Sequence, residues 1–356
     1  MQNPYAQKPD HQFWRRSMTG RAATEVDPVV RTGFTITRDD KVATAGSCFA
    51  QHVARTLREM DFNYLTTEVA PAFAFSGADN FGVFSARYGN VYTVRQLLQM
   101  FRRAYGLFSP EDTAWRRADG RFVDPFRPYV HDAGFASPQE VEDERESHLE
   151  AVRQVFEGCD VFVFTLGLTE GWQAVSDGAV FPLAPGVVGA DVASDAYCFH
   201  NFTVAEMESD LSEFLKRLHR INPACRVLLT VSPVALIATY EDSHVLCANT
   251  YSKSALRVVA GQVAQAFDFV DYFPSYEIIL GPQAGASFLA PDLREVTPEG
   301  VTYAMEVFAR HYLGEGKGRP VCVTVAPTPE EVARQRAEMA KIASVICDEE
   351  KIDSRP

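Results

Sequence analysis

Ser47 and Cys48 are two potential nucleophiles set side by side behind a glycine. They lie in the run Lys41-Val-Ala-Thr-Ala-Gly46-Ser47-Cys48-Phe49-Ala-Gln-His52-Val53-Ala54-Arg-Thr-Leu57. A serine or cysteine so placed can attack an acyl carbonyl if a base takes its proton and oriented donors meet the developing oxyanion. The first amides of a helix lack intrahelical acceptors and carry the positive end of its dipole, which lowers a thiol pKa and supplies such donors. On this reading Cys48 is expected to be the first of the seven cysteines to react with an alkylating reagent. The same residues also read as a glycine turn in which Ser47 caps a helix and Cys48 is a small buried apolar residue.

The elements around this stretch are legible from their periodicity. A β-branched and small-residue run stops at Gly46, and helical spacing starts through Phe49, Val53, Ala54 and Leu57, which predicts a strand, a tight turn and a helix. Residues 159–166 and 225–231 are near-continuous apolar runs, expected of strands buried on both faces of a parallel sheet. A helix from Asn249 to about Phe267 and a strand over 269–273 complete a βαβ unit with a right-handed crossover. Further helices are predicted over 94–105, 138–157, from Thr203 to Leu218, over 299–312, and at 329–347. Residues 1–40 read as an arm over the core, with Phe13 and Trp14 to bury. Residues 41–315 then form the α/β domain, and 316–356 a C-terminal extension with a terminal helix.

Other chemistry-bearing residues fall where such a sheet would place a ligand. Polar residues just after the C-terminal end of a buried parallel strand line the crevice of open α/β sheets, so Thr169, Glu170 and Trp172, after the strand at 159–166, are site candidates. Gly89 and Asn90 form a turn ahead of a helix that Thr93 caps, and such a pair can donate to an oxyanion. His200 precedes the Thr203 cap with its Glu206 partner and is read as a loop histidine, a base or a surface residue. The polar loop 291–298 carries Asp292, Arg294 and Glu295, and Arg127, held between prolines in a long decorated segment, suits an anionic group or an ion pair.

Composition narrows the classes. Hydrophobic residues at 46% and charged ones at 23% are ordinary for a globular chain of 356 residues. A net charge of −13 argues against nucleic-acid or anionic-membrane partners. Seven cysteines without a C-x-x-C pair read as reduced thiols, which predicts a cytoplasmic location. The N-terminus lacks an apolar signal region, and no run approaches the about 18 apolar residues of a membrane span. No metal site is expected.

Five separated motifs, Ala45-Gly46-Ser47-Cys48-Phe49-Ala50, Gly89-Asn90-Val-Tyr-Thr93, Thr165-Leu-Gly167-Leu-Thr169-Glu170-Gly-Trp172, Thr230-Val-Ser-Pro233 and Tyr272-Phe-Pro-Ser-Tyr-Glu277, occur in the order of the GSCFA-domain family. The chain resembles that family over residues 40 to 312, and the family is similar to the SGNH/GDSL hydrolase superfamily. The resemblance implies a three-layer, flavodoxin-like α/β fold with a parallel sheet and helical and loop decorations. It places Cys48 at the nucleophile position, or Ser47 if the register shifts by one. It assigns Gly89 an oxyanion role and puts Thr169 where the superfamily has asparagine. The superfamily's Asp-x-x-His before the last helix reads Asp292-Leu-Arg-Glu295 here, without histidine. A base must then come from elsewhere: His200 is the first choice, with Glu295, His244 and His52 as alternatives. Ser47, Cys48, His200 and Glu170 are thus the catalytic candidates, and Gly89, Asn90, Thr169, Trp172, Asp292 and Glu295 the substrate-binding ones. The implied activity is that of an esterase or acyltransferase on a small-molecule or carbohydrate ester. No cofactor is expected, save coenzyme A if it is the acyl donor. The competing expectation is a carbohydrate- or acyl-group-binding domain that has lost the catalytic histidine.

Overall fold

The computed structural model describes residues 3–70, 78–190, 195–314 and 348–353. The helix expected at 329–347 therefore lies outside the described residues. In chain order the elements are α1 Trp14–Met18, β1 Val42–Gly46, α2 Ala50–Glu59, α3 Val94–Ala104, β2 Trp115–Arg116, β3 Phe122–Val123, α4 Pro138–Gly158, β4 Val161–Leu166, β5 Glu170–Ala174, β6 Val180–Phe181, β7 Tyr197–Asn201, α5 Val204–Ile221, β8 Arg226–Val231, α6 Val245–Ala266, β9 Val270–Phe273, α7 Ser275–Leu280 and α8 Pro298–Tyr312.

The central sheet has the order β1-β4-β8-β9, and every pair is parallel. On the outer side of β1, Val42 exchanges backbone hydrogen bonds with Asn63 and Leu65 around a parallel bridge at Tyr64. With that short segment counted, the sheet follows a 2-1-3-4-5 order, in which the winding reverses between β1 and β4. Alternate residues of the strands feed two cores. Phe162, Phe164 and Leu166 pack with Leu97, Phe156, Phe214 and Leu256 from α3, α4, α5 and α6 on one face. Val161 and Val163 pack with Val53, Ile278 and Phe308 from α2, α7 and α8 on the other. The result is a three-layer α/β fold.

Two local expectations are corrected. Tyr197–Asn201 is a strand, so His200 lies in β7 and not in a loop, paired opposite Gly171 of β5 in a small antiparallel sheet of order β6-β5-β7. Alternation of Tyr197, Phe199 and Asn201 with Cys198 and His200 was a usable strand signal, masked by the polar residues beside it. Trp14 is 69% exposed rather than buried. The arm is anchored further on instead, where Tyr303 donates to the Val26 carbonyl and Ile36 bridges to Leu313.

Buried histidines make the fold acid-sensitive. Burial, reinforced by Arg127 and opposed by Glu68, lowers the His148 pKa to about 4, and burial with Arg55 does the same for His52. The unfolded chain, with histidine near ~6.5, binds more protons than the native state in between. Stability is therefore complete above that value and falls as pH drops toward about 4, by about 3 kcal/mol from His148 alone. Urea unfolding between pH 7 and 4.5 should show this loss, with the His148 ring proton titrating below pH 5 by NMR. A flat stability profile, or titration near 6.5, contradicts it.

Candidate active site

Gly46 ends β1 at φ +132°, and a Cβ there would sit 2.3 Å from the Thr165 carbonyl oxygen of β4. Glycine is therefore demanded by the close approach of the two strands, which sets the chain turning just where the sheet order reverses. The Ser47 amide donates to the same Thr165 oxygen at 3.1 Å. Ala50, Gln51 and His52 then donate to the carbonyls of Ser47, Cys48 and Phe49, so α2 opens on a tight turn without side-chain capping. Three amides that an open helix N-terminus would aim at a ligand are thus already used, and Ser47 is no cap. Its Oγ is buried with no hydrogen-bond partner among the described residues.

Ser47 and Cys48 line a small, partly open cavity of about 10 Å³ together with Tyr92, Gly167, Leu168, Ser232, Lys253 and Glu349. This is the crevice beyond the carboxyl ends of β1, β4 and β8. Gly167 packs so closely that a Cβ on it would lie 3.2 Å from the Ser47 Cβ, and the Lys253 ammonium donates to the Gly167 carbonyl at 2.6 Å. Lys253 is buried on the inner face of α6, in one stripe with Leu256 and Ala260. Glu349 is buried as well and faces Arg294 at 3.4 Å, while Arg294 also donates to the Ala235 carbonyl. Burial raises the Glu349 pKa, against the pull of Arg294 and Lys253. The cavity thus joins two nucleophiles, a lysine and a carboxyl group of raised pKa.

The residues singled out from the sequence divide around this cavity. Gly89, at φ +67°, and Asn90 line a separate cavity with Arg127 and Tyr88, and reach Ser47 only through their own segment. In that segment the Val91 amide donates to the Gly46 carbonyl, and the Tyr92 carbonyl accepts from Gly167 and Leu168. Thr169 uses its amide on Ser252 and its hydroxyl on Asn201, which ties β5 and β7 to α6. Glu170 accepts from the Thr239 hydroxyl and the Tyr240 amide, and so braces the 234–244 loop; burial raises its pKa. Trp172 packs edge-on against Phe199 and Tyr240.

His200 is bonded through Nε2 to Glu206 and is not among the residues lining the Ser47 cavity. His244 caps α6 through Nδ1, and Asp292 turns its carboxylate onto the amides of Arg294 and Glu295. Asp292 and Glu295 are exposed, so the 291–298 loop reaches the cavity through Arg294 instead. Cys48 is only 4% exposed whereas Cys247 is exposed, so reagent access favours Cys247 and overturns the expected order of alkylation.

Among the described residues, no group of His, Cys, Asp and Glu could hold a metal, and no helix is long and apolar enough to cross a membrane. The sequence model of the GSCFA family matches residues 41–308. No curated protein and no solved structure matches the chain.

Proposed function

We propose that this chain, which belongs to the GSCFA family, is an esterase or acyltransferase that forms an acyl-enzyme on Ser47. The observation carrying this reading is the shared cavity at the sheet's switch point, where Ser47 and Cys48 meet Lys253 and Glu349. In the proposed cycle the Ser47 Oγ attacks the acyl carbonyl of an ester and its proton passes to the Glu349 carboxylate. The Lys253 ammonium stabilises the tetrahedral oxyanion, and Arg294 holds Glu349 in place. The proton then goes to the departing alcohol, and water or a second alcohol releases the acyl group with Glu349 again as base. The motif register of the SGNH hydrolases falls on Cys48, but their chemistry uses a serine nucleophile, which favours Ser47, and Glu349 stands in for the histidine missing from the 291–298 loop. A cavity of about 10 Å³ holds no ester, so binding one requires the site to widen. An acylated carbohydrate is the substrate class to test first.

Turnover of aryl esters and acylated sugars by the wild type and by Glu349→Gln tests the base. The variant should lose about 10²–10⁴-fold in kcat. Because the base must be ionised, wild-type kcat should rise with pH through a value above the ordinary carboxylate range, and Glu349→Gln should lack that limb. Unchanged turnover in the variant would remove Glu349 from the mechanism. A wild type inactive on every acyl ester would instead favour a binding domain, which the missing loop histidine also suits.

A further inference from the structure

A second buried cluster lies between α3, α4 and the loop around Arg127, apart from Ser47 and its cavity. Arg87, Arg103, Arg127 and Arg145 are all buried there. Asp124 pairs with Arg127 and Arg145, Glu144 with Arg87 and Arg127, and Glu68 with Arg87. His148 completes the cluster on Glu68 and, with its pKa near 4, is neutral. Four guanidinium groups thus face three carboxylates, and one positive charge is left without a counter-ion among the described residues.

That charge has an address. Arg103 is 9% exposed and makes no hydrogen bond or ion pair among the described residues; its guanidinium lies over the Phe126 ring at 3.7 Å, and its Nε is buried without a partner. Arg127 is 3% exposed, and although its Nε and one terminal nitrogen hold Asp124, its other terminal nitrogen, Nη1, is buried and unpaired among the described residues. Both arginines line one cavity of about 30 Å³. Of the two glutamines lining it, Gln99 is already spent on Gly178 and Val180, and the Gln96 oxygen on Tyr92 and Thr93. Asp124, the one carboxylate acting on Arg103, is shared with Arg127 and Arg145, so the surplus buried charge is costly, and guanidinium keeps its proton at neutral pH. Water in the cavity would satisfy donors without neutralising the charge. The volume holds one or two water-sized occupants, too little for phosphate or sulfate.

We propose that this cavity binds a monatomic halide-sized anion, chloride in the protein as isolated, between the guanidinium groups of Arg103 and Arg127. The ion supplies the missing negative charge and accepts from the unpaired nitrogens. Its neighbours Asn90 and Val91 belong to the segment that docks on Gly46, so the ion also firms the scaffold behind the nucleophile turn. The test compares thermal unfolding in sodium chloride and sodium gluconate at equal ionic strength. At 100 mM, chloride should raise the melting temperature of the wild type by about 2 °C or more. Arg103→Met, which removes the unpaired charge, should melt at the same temperature in both salts. Crystals soaked in bromide should give an anomalous peak between Arg103 and Arg127. Equal melting of the wild type in both salts, a chloride increment that survives in Arg103→Met, or an empty cavity in bromide each overturns the proposal.

Discussion

Replacing Ser47 by alanine is expected to lower kcat on an acyl ester by about 10³–10⁶-fold, the scale of losing a nucleophile whose partners act as a unit with it. Stability should hardly change, and this separates a catalytic role from a structural one. Among the described residues the Ser47 Oγ makes no hydrogen bond that alanine would forfeit, and a buried unsatisfied hydroxyl costs about 1–3 kcal/mol, so the variant should melt at or above the wild-type temperature. The backbone bond from Ser47 to Thr165 is untouched by the change. Cys48→Ala should keep turnover within about tenfold, since only a group making the covalent bond is lost at the larger scale. Full activity in Ser47→Ala with loss in Cys48→Ala would move the nucleophile by one residue.

Gly46→Ala should fail in the opposite way, through the fold. The added Cβ would meet the Thr165 oxygen at 2.3 Å, the Thr165 nitrogen at 2.7 Å, and a φ of +132° that L-residues rarely adopt. None of these atoms belongs to a flexible side chain, so the C-terminal ends of β1 and β4 must separate. A loss of more than about 4 kcal/mol is expected, enough to leave most of a marginally stable chain unfolded. Circular dichroism and soluble yield would report it. A variant melting within a few degrees of wild type would mean that β1 and β4 do not approach as described.

The two predictions mark what the sequence could and could not disclose. The parallel strands were legible because β4 and β8 are buried on both faces and read as unbroken apolar runs, and the turn because Gly46 interrupts one such run. Ser47 and Cys48 were visible for the same reason. The rest of the cavity was not. Lys253 shares a helical stripe with Leu256 and Ala260, and a lysine on an apolar stripe is a signal that was there to use. Glu349 is 302 positions from Ser47 in the chain, and nothing local distinguishes it from other charged residues near the C-terminus. His200 illustrates the reverse error: its position before a capping box suggested a loop, yet cross-strand pairing with Gly171 and a bond to Glu206 fix it in β7. Gly89 and Asn90 were found as a turn, but their cavity is the arginine-lined one, a relation that only the packing of α3 against the Arg127 loop creates.

Covalent trapping puts an acyl-enzyme on Ser47 to the test. A fluorophosphonate loses fluoride to an attacking serine and leaves a stable Oγ–phosphorus bond, and trypsin then releases Val42–Arg55, which contains both Ser47 and Cys48. The phosphonyl mass is expected on this peptide, with fragmentation placing it on Ser47 and no label in Ser47→Ala. Active protein that hydrolyses esters while this peptide stays unmodified, or that carries the label at any other residue, would contradict it.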